Sequence, residues 1–467
     1  MTAAHTLTRS IPADPAYDLV VAGGGPAGTA AAVCAARLGL KVLLAEATGC
    51  LGGMGTSGLV ASFGPVSDGE RMLVGGFMRE LLETMWARKA FGPQVTEDYL
   101  HRQLNRWVPF APEQLKRILD EFAVQAGVEL RFFTRVVEVE RSGTRLEGVV
   151  VNNVEGLRYV PAKAFVDATG DAALSALAGA ACKVVLRDTE TVAPSTLCSL
   201  LAGMDWEHPA YAGNGMDEVK ARVRSEYVPR AIDDGFFTQE DRFFPGMNRV
   251  GAKGATLNAG HVFNLNPLSV RSLSDGMVFG RKLAEEYAEF YRRYVPGCER
   301  LELLTTAPVM GVRDSRRIVG EFELTIDDFL ARRQFPDQIA VYNRPTDVHP
   351  SDTSRQEYER FLKDFHGKDN LGRGECVGIP YSILVPRGYA NLWVAGRCHS
   401  SDTKVHGSIR AQSAAYMMGQ AAGTAAAQAL ASGEPAHDLD TARLVETLRG
   451  QGAYLPQGAL SRAMTRR

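Results

Sequence analysis

No two of the seven cysteines in this sequence have the C-x-x-C spacing; they are odd in number and scattered at 34, 50, 182, 198, 298, 376 and 398. That pattern gives no dithiol redox motif, zinc ribbon or disulfide frame, and it points to a reducing, cytoplasmic compartment. An excess of charge is also missing, since 52 Lys and Arg stand against 54 Asp and Glu for a net charge of −2. Nucleic acid and anionic membrane surfaces, which require a basic field, are therefore not expected as partners. The first sixteen residues are polar and interrupted by proline, without the apolar core of a secretory signal. One uncharged run, residues 411–433, is long enough to cross a bilayer, but it is built of Ala, Gly and Gln with few large apolar side chains. Its transfer into lipid is weak, so a buried core helix is expected there and no membrane association. What is left is a globular chain that meets a small-molecule substrate, with a homodimer compatible and no partner specified.

At 467 residues the chain exceeds what one core usually absorbs, so two domains or a large insertion are expected. The run Tyr17 to Ala22 is short and apolar, as in a parallel strand buried on both faces. Gly23-Gly24-Gly25-Pro26-Ala27-Gly28 follows, then an Ala-rich helical stretch to Leu38, a stop at Gly39 and a second apolar run, Lys41 to Ala45. This is a βαβ unit. Leu115, Ile118, Leu119 and Phe122 give a helix opened by Pro112 an apolar stripe. From Val128 to Ala168 short β-rich runs suggest a strand and a small meander. A helical reading over Ala172 to Ala181 and a charged helix near Asp275 to Tyr294 come next, and Asn391 to Ala395 is a last apolar strand.

Gly23-x-Gly25-x-x-Gly28 lies between the first strand and the first helix, where its three glycines have separate tasks. The first permits a tight turn, the second lets a pyrophosphate approach the backbone, and the third lets the helix pack closely. The helix N-terminus then offers unpaired N–H groups to the phosphates. Glu46, ending the second strand, is placed to take ribose hydroxyls. A second glycine cluster, Cys50-Leu-Gly-Gly-Met-Gly55, and the strand-end sites Ala168-Thr-Gly-Asp171 and Ala395-Gly-Arg397 suggest a long dinucleotide lying across the sheet. No second G-x-G-x-x-G is present, so a separate NAD(P)H domain is not expected.

These segments carry a resemblance. D-L-V-V-A-G-G-G-P-A-G-T-A-A-A, then L-A-E-x-x-x-x-L-G-G-M-G-T-S-G, and near the end N-L-W-V-A-G-R-C with G-S-I-R-A-Q, resemble the FAD-dependent oxidoreductase family of the glutathione-reductase-like FAD superfamily, related to fumarate-reductase-type flavoproteins. The likeness covers the first 60 residues, Asp167 to Asp171, the segment G-V-R-D-S-R-R-I-V-G-E and Pro380 to about Ala431. It implies an α/β fold: a discontinuous Rossmann-like FAD-binding domain (1–182 and 374–467) with an inserted mixed α+β substrate domain (183–373). It also implies FAD held without a covalent bond, with Gly23, Gly25, Gly28, Glu46, Gly53, Met54, Asp171, Ser408 and Ile409 as contacts. Pro26, Ala27, Ala47, Gly52, Val137, Ala168, Gly170, Gly396 and Arg397 complete the cofactor candidates. A metal is not expected.

For catalysis, His406 immediately precedes Gly407-Ser408, and a histidine with its pKa near ~6.5 suits proton transfer beside hydride transfer. The segment from His406 to Arg410 reads as the opening of the last, Ala-rich helix. His399 is a weaker candidate. Arg313, Arg316, Arg317 and Arg410 can clamp a carboxylate or pair with local acids such as Asp314 and Glu321. Cys50 and Cys398 are open to a flavin link or a redox role, although a free cysteine is more often a small buried hydrophobe. The expected function is a dehydrogenase or oxidase passing a hydride or two electrons between a small organic substrate and FAD. A flavin monooxygenase and a non-catalytic FAD-binding scaffold are the alternatives.

Overall fold

In the computed structural model, which describes residues 5–210 and 216–456, parallel strands place the two ends of the chain in one sheet. The strands run in the order Glu129–Arg131, Val42–Ala45, Tyr17–Ala22, Gly156–Asp167, Leu392–Val394. Registers Ala22↔Ala45, Ala22↔Asp167 and Val394↔Asp167 bring four strands to a common edge. Gly23, Glu46, Ala168 and Ala395 therefore leave the sheet side by side, at the carboxyl ends where open α/β sheets bind ligands.

Gly156–Asp167 is a 12-residue strand with two roles. Its first half closes an antiparallel meander with Arg135–Ser142 and Arg145–Asn153, and its second half is parallel to Tyr17–Ala22. The short apolar run read from the sequence is the buried end of this element.

The period of two sorts the first strand onto two cores. Leu19 and Val21 face the helices and Val20 and Ala22 face Leu146, Val149 and Val151 of the meander, while Tyr17, at the start of the strand, joins the meander cluster out of phase with the rest. On the helical side, Pro26–Arg37 lies against Gln412–Ser432 with almost no space between backbones. A Cβ on Gly419 or Gly423 would overlap the carbonyl of Ala27 or Ala31. That contact explains the Ala- and Gly-rich composition of residues 411–433, and no described helix is long and apolar enough to cross a membrane. The shorter helix after Asp171 spans only Ala173–Leu177, because Gly179 at φ 82° ends what composition extended to Ala181.

A second hydrophobic cluster, separate from the first, is drawn from Leu197 to Met310 plus Leu59. Its antiparallel sheet, ordered Gly246–Arg249, Ala255–Asn258, Ser199–Ala202, Glu302–Thr306, is backed by the 25-residue helix Val270–Tyr294. Phe329, Phe335, Ile339, Tyr342 and Leu371 join the first core instead.

Candidate active site

The glycine fingerprint separates into residues the protein needs and one it leaves open. Gly23 has φ 95° and a Cβ there would sit 2.6 Å from the carbonyl oxygen of Ala168, while a Cβ on Gly28 would overlap Gly23 O. Around Gly25 nothing lies within 4 Å of the same position. Gly25 is also the N-cap of the first helix, with no side chain capping it and Pro26 in the first turn. The helix thus presents its N–H groups, including those of Ala27 and Gly28, toward open space.

Three further segments close on this opening. A Cβ on Gly53 would be 2.9 Å from Gly25 Cα, and one on Gly396 would be 3.1 Å from Ala27 Cβ. Gly52 at φ 96° opens the short turn that holds Gly53 and Met54. The Glu46 carboxylate is fixed by Gly24 N–H (2.6 Å) on one oxygen and by Thr48 N–H (2.6 Å) and Oγ1–H (2.7 Å) on the other. Since a carboxylate has about four acceptor positions, about one lone pair remains for a hydroxyl donor. Ala47 is half-buried beside it. Val137 is exposed, at the point where the register shifts between Val136 and Glu138.

At the third strand end, Asp171 accepts from Ser315 Oγ (2.6 Å) and pairs with Arg397. Arg397 also donates to Gly170 O (2.8 Å) and to Val312 O. Asp167, which was not among the site candidates, accepts from the N–H groups and hydroxyls of Thr169 and Ser175 at 2.7 to 3.1 Å, and burial pushes its carboxyl pKa up.

His406, Gly407, Ser408 and Ile409 do not open the long helix. They belong to a separate helix, Thr403–Ile409, capped by the Asp402 carboxylate on Val405 N–H (2.8 Å). Ala411, at φ −61° and ψ 148°, breaks the chain, and the long helix starts at Gln412 with no side-chain cap. The open N–H groups therefore belong to Gln412, Ser413 and Ala414, because Ala415 is the first to bond back to Ala411. Ser408 is instead spent on the Arg344 carbonyl, and Ile409 is core. Gln412 donates to Val60 O (2.8 Å), and its Oε1 is buried without a partner.

His406 donates Nε2–H to Arg397 O (2.8 Å) and packs 5.2 Å from the His399 ring. Burial and neighbouring charges push its pKa well down, and burial takes His399 down to about 4. The arginines divide. Arg316 donates to Asp171 O (3.3 Å) and Arg317 to Ser401 O (2.6 Å), both beside the strand Cys182–Val184. Arg313 turns inward, to Pro194 O and Thr196 Oγ1 (3.1 Å).

Around Arg313 lies a polar assembly that sequence reading missed. Asp347 accepts from Arg410 (2.6 Å), is ion-paired with Arg344 (2.9 Å) and faces His349 Nε2 at 3.3 Å. Burial alone would raise its carboxyl pKa, but Arg344, His349 and Arg410 hold it well below the usual range. Arg344 also stacks on Trp107, 4.6 Å from the ring centroid. The His349 ring meets that of His261 edge-on at 4.9 Å, and His261 Nδ1 is 3.0 Å from Asp241, without hydrogen-bond alignment. Burial, reinforced by Arg313, pushes His349 down to about 3, and burial takes Arg410 down to about 10. These residues come from five separate segments with no common motif, so only the spacing of the fold joins them.

Cys398 is buried, its thiol directed at Asp167 O (3.6 Å) and its pKa raised by burial, and Cys50 lies 3.2 Å from Ser57 Oγ. None of the seven cysteines is in a disulfide.

Comparison with known proteins adds the following. The family described as FAD dependent oxidoreductase matches residues 18–448. No curated protein matches the chain. Among solved structures, a geranylgeranyl bacteriochlorophyll reductase-like protein from Thermoplasma acidophilum is 14% identical, with TM-score 0.46, 93% of this chain and 82% of that one covered. A flavin-dependent brominase is also 14% identical at TM-score 0.46, covering 93% and 83%. The myxobacterial chondrochloren halogenase gives 14%, 0.46, 93% and 78%.

Proposed function

Because the chain belongs to the FAD-dependent oxidoreductase family, we propose that it oxidises a small organic substrate held between the glycine cradle and the inserted region, with His349 as proton acceptor. FAD bound in the cradle supplies the two-electron acceptor. The open space at Gly25, the uncapped helix beside it and the lone pair left on Glu46 fit its diphosphate and ribose. The uncapped start of the long helix at Gln412 offers N–H dipoles to developing negative charge. We assign FAD a non-covalent hold, since Cys398 is buried against Asp167 and Cys50 sits among hydroxyls.

The observation that carries the substrate reading is His349 Nδ1, buried and without a partner. Its Nε2 faces Asp347, so Nε2 holds the proton and Nδ1 carries the lone pair. His406 has its Nε2–H committed to the Arg397 carbonyl and its ring against His399, which favours His349 for this role. Arg313 and Arg410 lie on the same side and orient the substrate, whereas Arg316 braces Asp171.

The test is an anaerobic screen of the FAD-loaded protein for compounds that bleach its absorbance. A substrate that bleaches wild type and reduces His349→Gln about 10²-fold more slowly is expected, that being the usual worth of a general base. Rapid NAD(P)H oxidation without substrate would contradict this reading and indicate a monooxygenase.

A further inference from the structure

Resting on the reading above, the inference concerns what kind of substrate the site takes. Arg313 is 6% exposed, yet among the described residues no carboxylate lies within ion-pair distance of it and its Nε and Nη2 make no hydrogen bond. A guanidinium cannot escape burial by losing its proton, so its charge needs an answer. The nearby acids are occupied. Asp347 is shared by Arg344, Arg410 and His349, and Asp241 lies against His261. With the neighbouring buried pair Arg317–Asp314 (3.5 Å) included, four arginines face three carboxylates, which leaves positive charge unbalanced before either histidine is counted.

A second feature is independent of that charge. His349 Nδ1 and His261 Nε2 are buried polar atoms with no partner, on side chains 2% and 0% exposed. Thr196, which anchors Arg313, is the direct strand partner of His261, and the His261 ring meets that of His349 at 4.9 Å, so the unanswered cation and the unanswered imidazoles are neighbours. The Asp347 side chain, held among Arg344, Arg410 and His349, is 28% exposed, so this cluster is within reach of solvent.

We propose that Arg313 and His349 form a subsite for a small carboxylate that carries a hydrogen-bond donor, a hydroxyl or amine, beside the carboxyl group. The planar guanidinium takes the carboxylate through its unused N–H groups, and His349 Nδ1 accepts from the neighbouring donor. Specificity arises because an analogue lacking either group leaves a buried partner unsatisfied. Seating an anion at Arg313 also relieves part of the field that holds His349 uncharged, so the substrate raises the basicity of the residue that accepts its proton.

The experiment titrates FAD-loaded protein with lactate, propionate, lactamide, propionamide and inorganic phosphate, following the flavin spectrum and Tm. Lactate should bind more tightly than propionate, and each acid at least ten-fold more tightly than its amide. Arg313→Gln should lower acid affinity ten-fold or more with FAD content unchanged, Arg313→Lys should lie between, and His349→Gln should erase the preference for lactate over propionate. Amides binding as well as acids, phosphate binding more tightly than the acids, or Arg313→Gln losing FAD and acid together would overturn the proposal. The acid-against-amide comparison in wild type decides even if the variants do not fold. A protein that takes up no FAD would instead overturn the functional reading itself.

Discussion

Gly25 and Gly28 share a motif but carry different burdens, and substitution separates them. A side chain at Gly25 meets empty protein space, so Gly25→Val should leave the Tm of the apoprotein within about 2 °C of wild type and weaken FAD binding at least ten-fold. A Cβ at Gly28 overlaps Gly23 O, so Gly28→Ala should cost stability in the range of overpacked cores, about 1–3 kcal/mol. Thermal unfolding with and without FAD checks both, and equal destabilisation by the two would contradict the division. This part of the site was legible because local backbone requirements fix glycine spacing. Arg344, Asp347, His349 and His261 were not, because each is an ordinary residue in its own segment and acquires meaning only beside the others. Arg313 was singled out for its cluster, yet the strand Arg316–Ile318 sends its neighbours elsewhere.

Helix pairing transmits the cradle to the rest of the fold. Gly419 and Gly423 let the long helix lie against the backbone of the first helix at Ala27 and Ala31, the same turn that offers N–H groups to the diphosphate. Gly419→Val should therefore lower Tm by several degrees and weaken FAD binding together, whereas Gly433→Ala, at a helix C-cap with open space but φ 79°, should cost stability alone. Isothermal titration with FAD beside Tm distinguishes them. Composition was enough to identify the buried helix, since a run of Ala and Gly can pack only closely. It was not enough to place the helix start, because no proline, Asp, Asn or Thr between His406 and Gln412 marks a break or a cap at Ala411. The break at Ala411 comes from packing of the short Thr403–Ile409 helix on the Arg344–Asp347 segment, a tertiary constraint.

Across the whole molecule, three buried histidines set a pH dependence. His349 and His399 are pushed to about 3 and about 4, and His406 well down, all chiefly by burial. Unfolded, each takes up a proton near pH 6.5, so the unfolded chain binds more protons than the native one as pH falls through that value. Their contribution to stability is full above about pH 6.5 and is lost as pH drops toward 4, at about 1.4 kcal/mol per pH unit for each histidine. Between pH 6.5 and 5 the unfolded carboxylates are still charged and add little. Urea unfolding across that window should show the slope, and His399→Gln should reduce it by about one proton; a flat profile would mean that these histidines are protonated in the native state.

Everything the molecule does as an oxidoreductase depends on FAD and on how it is held. Protein purified from cells, or loaded with FAD and desalted, should release about one FAD per chain on acid denaturation, leaving a colourless pellet, and Gly25→Val should carry little. A folded wild-type protein that takes up no FAD, or a yellow pellet with flavin attached to a peptide containing Cys50, Cys398 or His406, would contradict it.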